Sequence, residues 1–91
     1  MKQIESVLTL TVGTSAQTVD LGGLAFLMEN LSESAVVYFK EKRGDGAAAT
    51  ADNGFALGPG AVLPVALTAV ELSVIASAAA TDVRLLVLNE M

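Results

Sequence analysis

The chain has 91 residues, five basic and ten acidic, with no His, Cys or Trp, a formal net charge of −5, 53% hydrophobic residues and 16% charged ones. Without imidazole or thiol there is no ordinary general base, thiolate nucleophile or soft metal ligand, which excludes Ser-His, Cys-His and zinc mechanisms and leaves carboxylates and hydroxyls. A single domain of this size buries about two-thirds of its unfolded surface, and the apolar share exceeds the roughly 45–50% of an ordinary chain, so the composition points to a subunit that hides surface against partners.

Residues 4–12 alternate, with Ile4, Leu8, Leu10 and Val12 on one parity and Glu5, Val7, Thr9 and Thr11 on the other, the pattern of a strand with one buried face. Gly13-Thr14-Ser15 supplies a turn, and 16–21 reads as a second strand ending at Gly22-Gly23, a pair suited to a tight hairpin because primed turns need positive φ. Leu24 to Glu29 is apolar on both parities and bounded by Gly23 and Asn30, which favours a buried strand over a short helix. After the polar turn Asn30 to Ser34, residues 35–42 set β-branched and aromatic side chains in a row, the clearest strand of the chain. Arg43-Gly44-Asp45-Gly46 closes it with turn chemistry.

Residues 47–54 are small and weakly patterned, an extended loop or a loosely packed edge strand that Phe55-Ala56-Leu57 anchors to the core. Gly58-Pro59-Gly60 forces a turn before 61–67, where Pro64 cannot donate a ladder hydrogen bond. That segment therefore belongs at a sheet edge or carries a bulge, with Leu63, Val65 and Leu67 inward. Residues 70–77 place Val70, Leu72, Val74 and Ala76 on the core side and Glu71, Ser73 and Ser77 on the solvent side. A turn at 78–82 leads into 83–89, apolar on both parities and so a central or interface strand. Turn signals every eight to twelve residues or so, with no amphipathic helix of useful length, predict an all-β fold. The expected architecture is a single antiparallel β-sandwich or barrel of about seven or eight short strands, spanning 1–91, with 1–12 as a candidate partner-contacting N-terminal strand.

No run reaches the roughly 18–20 apolar residues of a membrane-spanning helix, and residues 1–6 lack the apolar stretch of a secretory signal. The acidic balance disfavours nucleic acid, since the one basic cluster, Lys40, Lys42 and Arg43, is partly neutralised by Glu41 and Asp45. Tyr38 beside those lysines falls short of a base-stacking platform. Arg43-Gly44-Asp45 is the tripeptide integrins recognise, yet each residue is also an ordinary turn constituent. Asp45, Asp52 and Asn53 offer oxygens for Ca²⁺ but lack the regular loop register, so solvated loop side chains are the stronger reading. Glu29, Glu41 and Glu71 are candidates for paired-carboxylate hydrolysis, but one Tyr and no Trp leave no sugar-stacking platform. Neither Gly22-Gly23 nor Gly58-Pro59-Gly60 is followed by the Lys-Ser/Thr of a phosphate loop. The expectation is no catalysis, no cofactor and no metal.

Four segments carry a family likeness: Asn30-Leu31-Ser32 before Val36-Val37-Tyr38; Asn53-Gly-Phe-Ala-Leu-Gly-Pro-Gly60; Glu71-Leu-Ser-Val-Ile-Ala-Ser-Ala78; and Thr81-Asp-Val-Arg-Leu-Leu-Val-Leu88. Over residues 24–88 this pattern of turns and strands resembles small β-sandwich structural proteins of tailed bacteriophages and prophages, although the segment from Lys40 to Asp52 is longer here. The resemblance implies a virion role, foremost a capsid decoration or cement subunit on the particle exterior, made in the host cytoplasm. It further implies contact with the major capsid protein or other virion proteins, and a homo-oligomer, with a trimer the expected form. A surface-displayed ligand-binding or adhesive module, such as a tail or fibre component, is the alternative. The residues expected to make partner contacts are Ile4, Val7, Leu8 and Leu10 of the N-terminal strand and Lys40, Lys42, Arg43 and Asp45 of the 40–54 loop.

Overall fold

The computed structural model describes residues 2–42 and 46–90, with side chains for 6–42 and 46–88. Eight strands run through these residues: β1 (Lys2–Val12), β2 (Gln17–Asp20), β3 (Ala25–Asn30), β4 (Val37–Glu41), β5 (Phe55–Leu57), β6 (Leu67–Thr68), β7 (Glu71–Ala76) and β8 (Thr81–Glu90). They form two four-stranded sheets, ordered β1-β8-β3-β6 and β2-β7-β4-β5. The pairs β1–β8, β2–β7, β3–β6 and β4–β5 are all antiparallel, as are β3–β8 and β4–β7, which join them into sheets. The first four pairs describe one long hairpin, rolled so that successive pairs fall in opposite sheets. That is the strand order of an eight-stranded jelly roll, and the β-sandwich read from the sequence is the fold.

Alternation explains the core. Phe26 and Met28 from β3, Val83, Leu85 and Val87 from β8, Leu72, Val74 and Ala76 from β7, and Val37 and Phe39 from β4 all turn inward and are buried. Val12 joins them, with Leu8 and Leu10 packed at the margin. Each fully buried Leu or Phe contributes about 1.5–3 kcal/mol relative to exposure, so this interior is the main source of stability in a chain without disulfides. The resulting slab measures 37 × 31 × 18 Å between Cα atoms, the shape expected of two sheets packed about 10 Å apart.

Five details differ from the sequence expectations, each for a physical reason. Gly22 and Gly23 take the positive φ of a primed turn, 60° and 86°, but the strands they join lie in different sheets. Leu21 and Gly22 donate their N–H groups to the Val70 carbonyl, and Gly23 to that of Ala69, so the turn is tied to the segment before β7 instead of closing a β2–β3 hairpin. In β1 the register shifts between Ile4 and Ser6, so the single alternation expected over 4–12 is broken and Ile4 pairs with Leu88.

Of Leu63, Val65 and Leu67 only Leu63 is inward. Leu63 N–H reaches the Met28 carbonyl at 2.8 Å, then Pro64 interrupts the ladder, and the chain rejoins β3 only at Leu67. The interruption throws Val65 and Leu67 outward, with exposures of 58% and 41%. Of 55–57 only Leu57 anchors in the core, because Phe55 sits on an edge strand and is 63% exposed. Val70 precedes the first residue of β7 and is exposed, whereas Ser73, expected toward solvent, is wholly buried. The segment from Ala47 to Gly54 folds back over that outer face, and Ala49 N–H donates to Ser73 Oγ at 2.8 Å.

Candidate interaction surfaces

The residues expected to make partner contacts separate into three groups. Val7 stands out from the sheet at 57% exposure, while Leu8 and Leu10 point the other way and pack on the core. Ile4 is placed only by its backbone pairing to Leu88. The N-terminal strand is thus not a loose arm, since it pairs with β8 from Lys2 to Val12. Lys40 Nζ donates to the Ala47 carbonyl at 3.1 Å, and Lys42 N–H to that of Glu71 at 2.9 Å, so both lysines fix the start of the 42–54 connection. Arg43 and Asp45 lie outside the described residues, and with them the Arg43-Gly44-Asp45 tripeptide.

Two apolar surfaces come from the topology. The first is the outer face of the β1-β8-β3 sheet. Val7, Leu86 and Leu27 are directly opposite one another in register and form one row across three strands. Leu88 and Ala25 form the next row on one side, and Thr9, Arg84 and Glu29 the next on the other. Val62, bridged to Glu29, extends this face beyond β3 and is 55% exposed. Val7, Leu27, Leu86 and Val62 line a shallow depression of about 360 Å³ there. Both parities of 24–29 and 83–88 are apolar because one parity fills the core and the other fills this face.

The second surface lies between the sheets, where the short edge strands β5 and β6 leave the sandwich open. A cleft of about 580 Å³ has Phe26, Phe39, Leu63 and Leu72 at its floor and Phe55, Val65 and Leu67 at its rim. All three phenylalanines of the chain stack into it: Phe26 and Phe39 meet edge to face at 6.4 Å, and Phe39 and Phe55 are tilted at 5.6 Å. Lys40 and Glu41 border it, with Glu41 Oε2 accepting from Val70 N–H at 3.1 Å. Pro64 was the sequence signal for this opening. The mistaken inward parity of Val65, Leu67 and Val70 concealed what the break exposes.

The chemistry-bearing candidates are scattered. Glu29 lies on the outer face of one sheet, Glu41 beside the cleft, and Glu71 opposite Asp20 in the β2–β7 pair. Among the described residues no three carboxylates gather as a metal-binding group. Asn53 uses its side chain within the loop, accepting from Thr50 N–H at 2.7 Å and donating to the Ala48 carbonyl at 3.1 Å. The Asn30-Leu31-Ser32 motif has an architectural task. Asn30, wholly buried, donates to the carbonyls of Ala35, Leu57 and Gly58 at 2.9–3.0 Å and accepts from Ser32 N–H at 3.0 Å. Ser32 Oγ in turn accepts from the N–H groups of Ser34 and Ala35. No described helix is long and apolar enough to cross a membrane. Comparison with protein-family models, with curated proteins and with solved structures found no match to the chain.

Proposed function

We propose that the chain is a virion structural subunit, a capsid decoration or cement protein that oligomerises and stabilises the shell without catalysis. The observation that carries this reading is the apolar row Val7-Leu86-Leu27, continued by Leu88 and Ala25, on the outer face of the sheet β1-β8-β3, which the chain's own core does not cover. Exposed contiguous apolar surface on a small soluble domain marks an interaction site. The turn-and-strand likeness to phage structural proteins over 24–88 supplies the virion context. Jelly rolls serve capsids and lectins alike, so the topology by itself does not choose between those uses. A clamp of this kind works by removing apolar area from water at about 25 cal/mol per Å², less the cost of association.

The direct test is gradient sedimentation of particles from cells that produce them, followed by gold labelling of the chain. Co-migration with the particle fraction and label over the head supports the proposal. A chain left wholly in the soluble fraction refutes it.

The adhesive or ligand-binding reading is favoured by one feature, the aromatic-lined cleft, whose volume falls in the roughly 300–1,000 Å³ range of small-molecule sites. Its test is a glycan and cell-binding screen repeated with Val65→Asp. Binding abolished by that substitution, with no chain in the particle fraction, would replace the decoration reading with this one.

A further inference from the structure

We infer that Asn53-Gly54 is a site of spontaneous covalent modification: a deamidation point that the native fold holds closed and that, once converted, keeps the segment Ala47–Gly54 from seating again. The inference is independent of the proposed function. It rests on the chemistry of the pair and on how the structure engages each atom that would react.

Of the three asparagines, only Asn53 precedes a glycine; Asn30 is followed by Leu31 and Asn89 by Glu90. Glycine has no side chain to hinder its nitrogen from folding back on the preceding residue. In the reaction the Gly54 backbone nitrogen gives its proton to solvent base and attacks Asn53 Cγ, forming a C–N bond. Nδ2 takes a proton from solvent and leaves as ammonia. One water then opens the five-membered imide at either of its two carbonyls, which gives aspartate or isoaspartate at position 53. Water is the only co-reactant, and it reaches the site because Asn53 is exposed.

Access is therefore not what holds the reaction back. Gly54 N–H donates to the Thr50 carbonyl at 3.0 Å, closing a single α-turn that engages the attacking nitrogen. Asn53 Oδ1 accepts from Thr50 N–H at 2.7 Å, and Nδ2 donates to the Ala48 carbonyl at 3.1 Å. Three hydrogen bonds must open before nitrogen and carbon can meet. The turn is itself seated on the sheet by Ala49 N–H on Ser73 Oγ at 2.8 Å and by Lys40 Nζ on the Ala47 carbonyl at 3.1 Å. Local opening of this segment is the gate.

Reclosing does not restore the start. With aspartate, an oxygen that cannot donate replaces Nδ2 opposite the Ala48 carbonyl. Isoaspartate routes the backbone through the former side chain and lengthens it by one carbon just before Gly54. There is no slack at that point, since a Cβ added to Gly54 would stand 2.9 Å from Tyr38 Cβ and 3.1 Å from Phe39 N. The converted segment stays lifted, and Ser73 and Ala49, both buried beneath or within it, become exposed.

The test ages the full chain in warm, mildly alkaline buffer and follows all three asparagines by peptide mapping, with isoaspartate identified by its fragmentation. The native chain should convert at position 53 at least tenfold more slowly than the same chain unfolded in urea. Ser73→Ala removes the acceptor of the Ala49 N–H, leaves the Asn-Gly pair untouched, and should react at an intermediate rate. In urea, Asn30 and Asn89 should remain amides over the period in which Asn53 is consumed. Hydrogen exchange on the aged, isoaspartate-bearing chain should show the Ala49 amide unprotected and the β7 amides still protected. Equal rates in native and unfolded chains overturn the gate, and conversion at Asn30 or Asn89 ahead of Asn53 overturns the site. An aged chain whose Ala49 amide is as protected as in the fresh chain overturns the block on reseating.

Discussion

Asn30 is buried without cost because each of its side-chain bonds is made. Its amide holds three carbonyls from two turns, and its oxygen takes the Ser32 N–H. Replacing it with Ala takes this donor from the carbonyls, of which that of Gly58 keeps the Ala61 N–H, and strips the Ser32 N–H of its acceptor, a loss on the order of 3 kcal/mol at roughly 1–3 kcal/mol per stranded buried group. For a domain of this length about 1 kcal/mol moves the melting temperature by roughly 4–8 °C, so calorimetry should record a fall of more than about 10 °C. Asn30→Asp keeps the acceptor but sets a carboxylate oxygen against the same carbonyls in a buried site, and should cost at least as much as the Ala substitution at neutral pH. Ala80 presents the opposite case. Its φ of +56° lies in the left-handed region that costs an L-residue roughly 1–2 kcal/mol. Glycine relieves that strain and returns part of it as unfolded-state entropy, so Ala80→Gly should raise stability by about 0.5–1 kcal/mol, read as a higher urea midpoint. Residues 30–34 were legible as a polar turn. The inward direction of Asn30 was not, because a polar residue at a strand end carries no periodic sign of burial.

Strands announced themselves by alternation in β1 and β7, and by dense apolar or β-branched runs between turn signals in β3, β4 and β8. β1 after its bulge, β3, β4, β7 and β8 match the expected runs to within one to three residues at each end. Partners did not, since a turn such as Gly22-Gly23 has the same local chemistry whether it closes a hairpin or carries the chain from one sheet to the other. The 47–54 segment shows the same limit: its small residues gave no pattern, yet smallness is what lets it lie on the sheet. At Gly54 an added Cβ would sit 2.9 Å from Tyr38 Cβ and 3.1 Å from Phe39 N, both on β4. Gly54→Ala should therefore lift this segment at a cost of about 1–3 kcal/mol, in the range of overpacked sites. The amide of Ala49, bonded to Ser73 Oγ, should lose hydrogen-exchange protection before the amides of β7 do. If the Ala49 and β7 amides stay equally protected in the variant, the segment is not held by that close approach.

Across the whole molecule, apolar surplus and topology account for each other. The three segments with apolar residues on both parities, or with Val7 on the outward one, are neighbours in a single sheet, although 24–29 and 83–88 are far apart in the chain. No single-sequence pattern could show that adjacency, because antiparallel register is a matter of three-dimensional pairing. The composition raised the expectation of apolar surface hidden against a partner; the topology shows where the outward apolar residues lie.

The rolled hairpin also governs how the chain reaches this structure. Lys2 pairs with Glu90 and Val12 with Thr81, so β1 can form its ladder only after nearly the whole sequence is available. Contact order is consequently high, and loop closure must precede most of the stabilising contacts. Stopped-flow refolding should fall in the millisecond-to-second range of non-local β-proteins, and a microsecond phase carrying the full amplitude would contradict the strand order. During synthesis the apolar parity of β1 has no partner until β8 emerges, which makes the nascent chain's exposure to aggregation a property of its wiring more than of its composition.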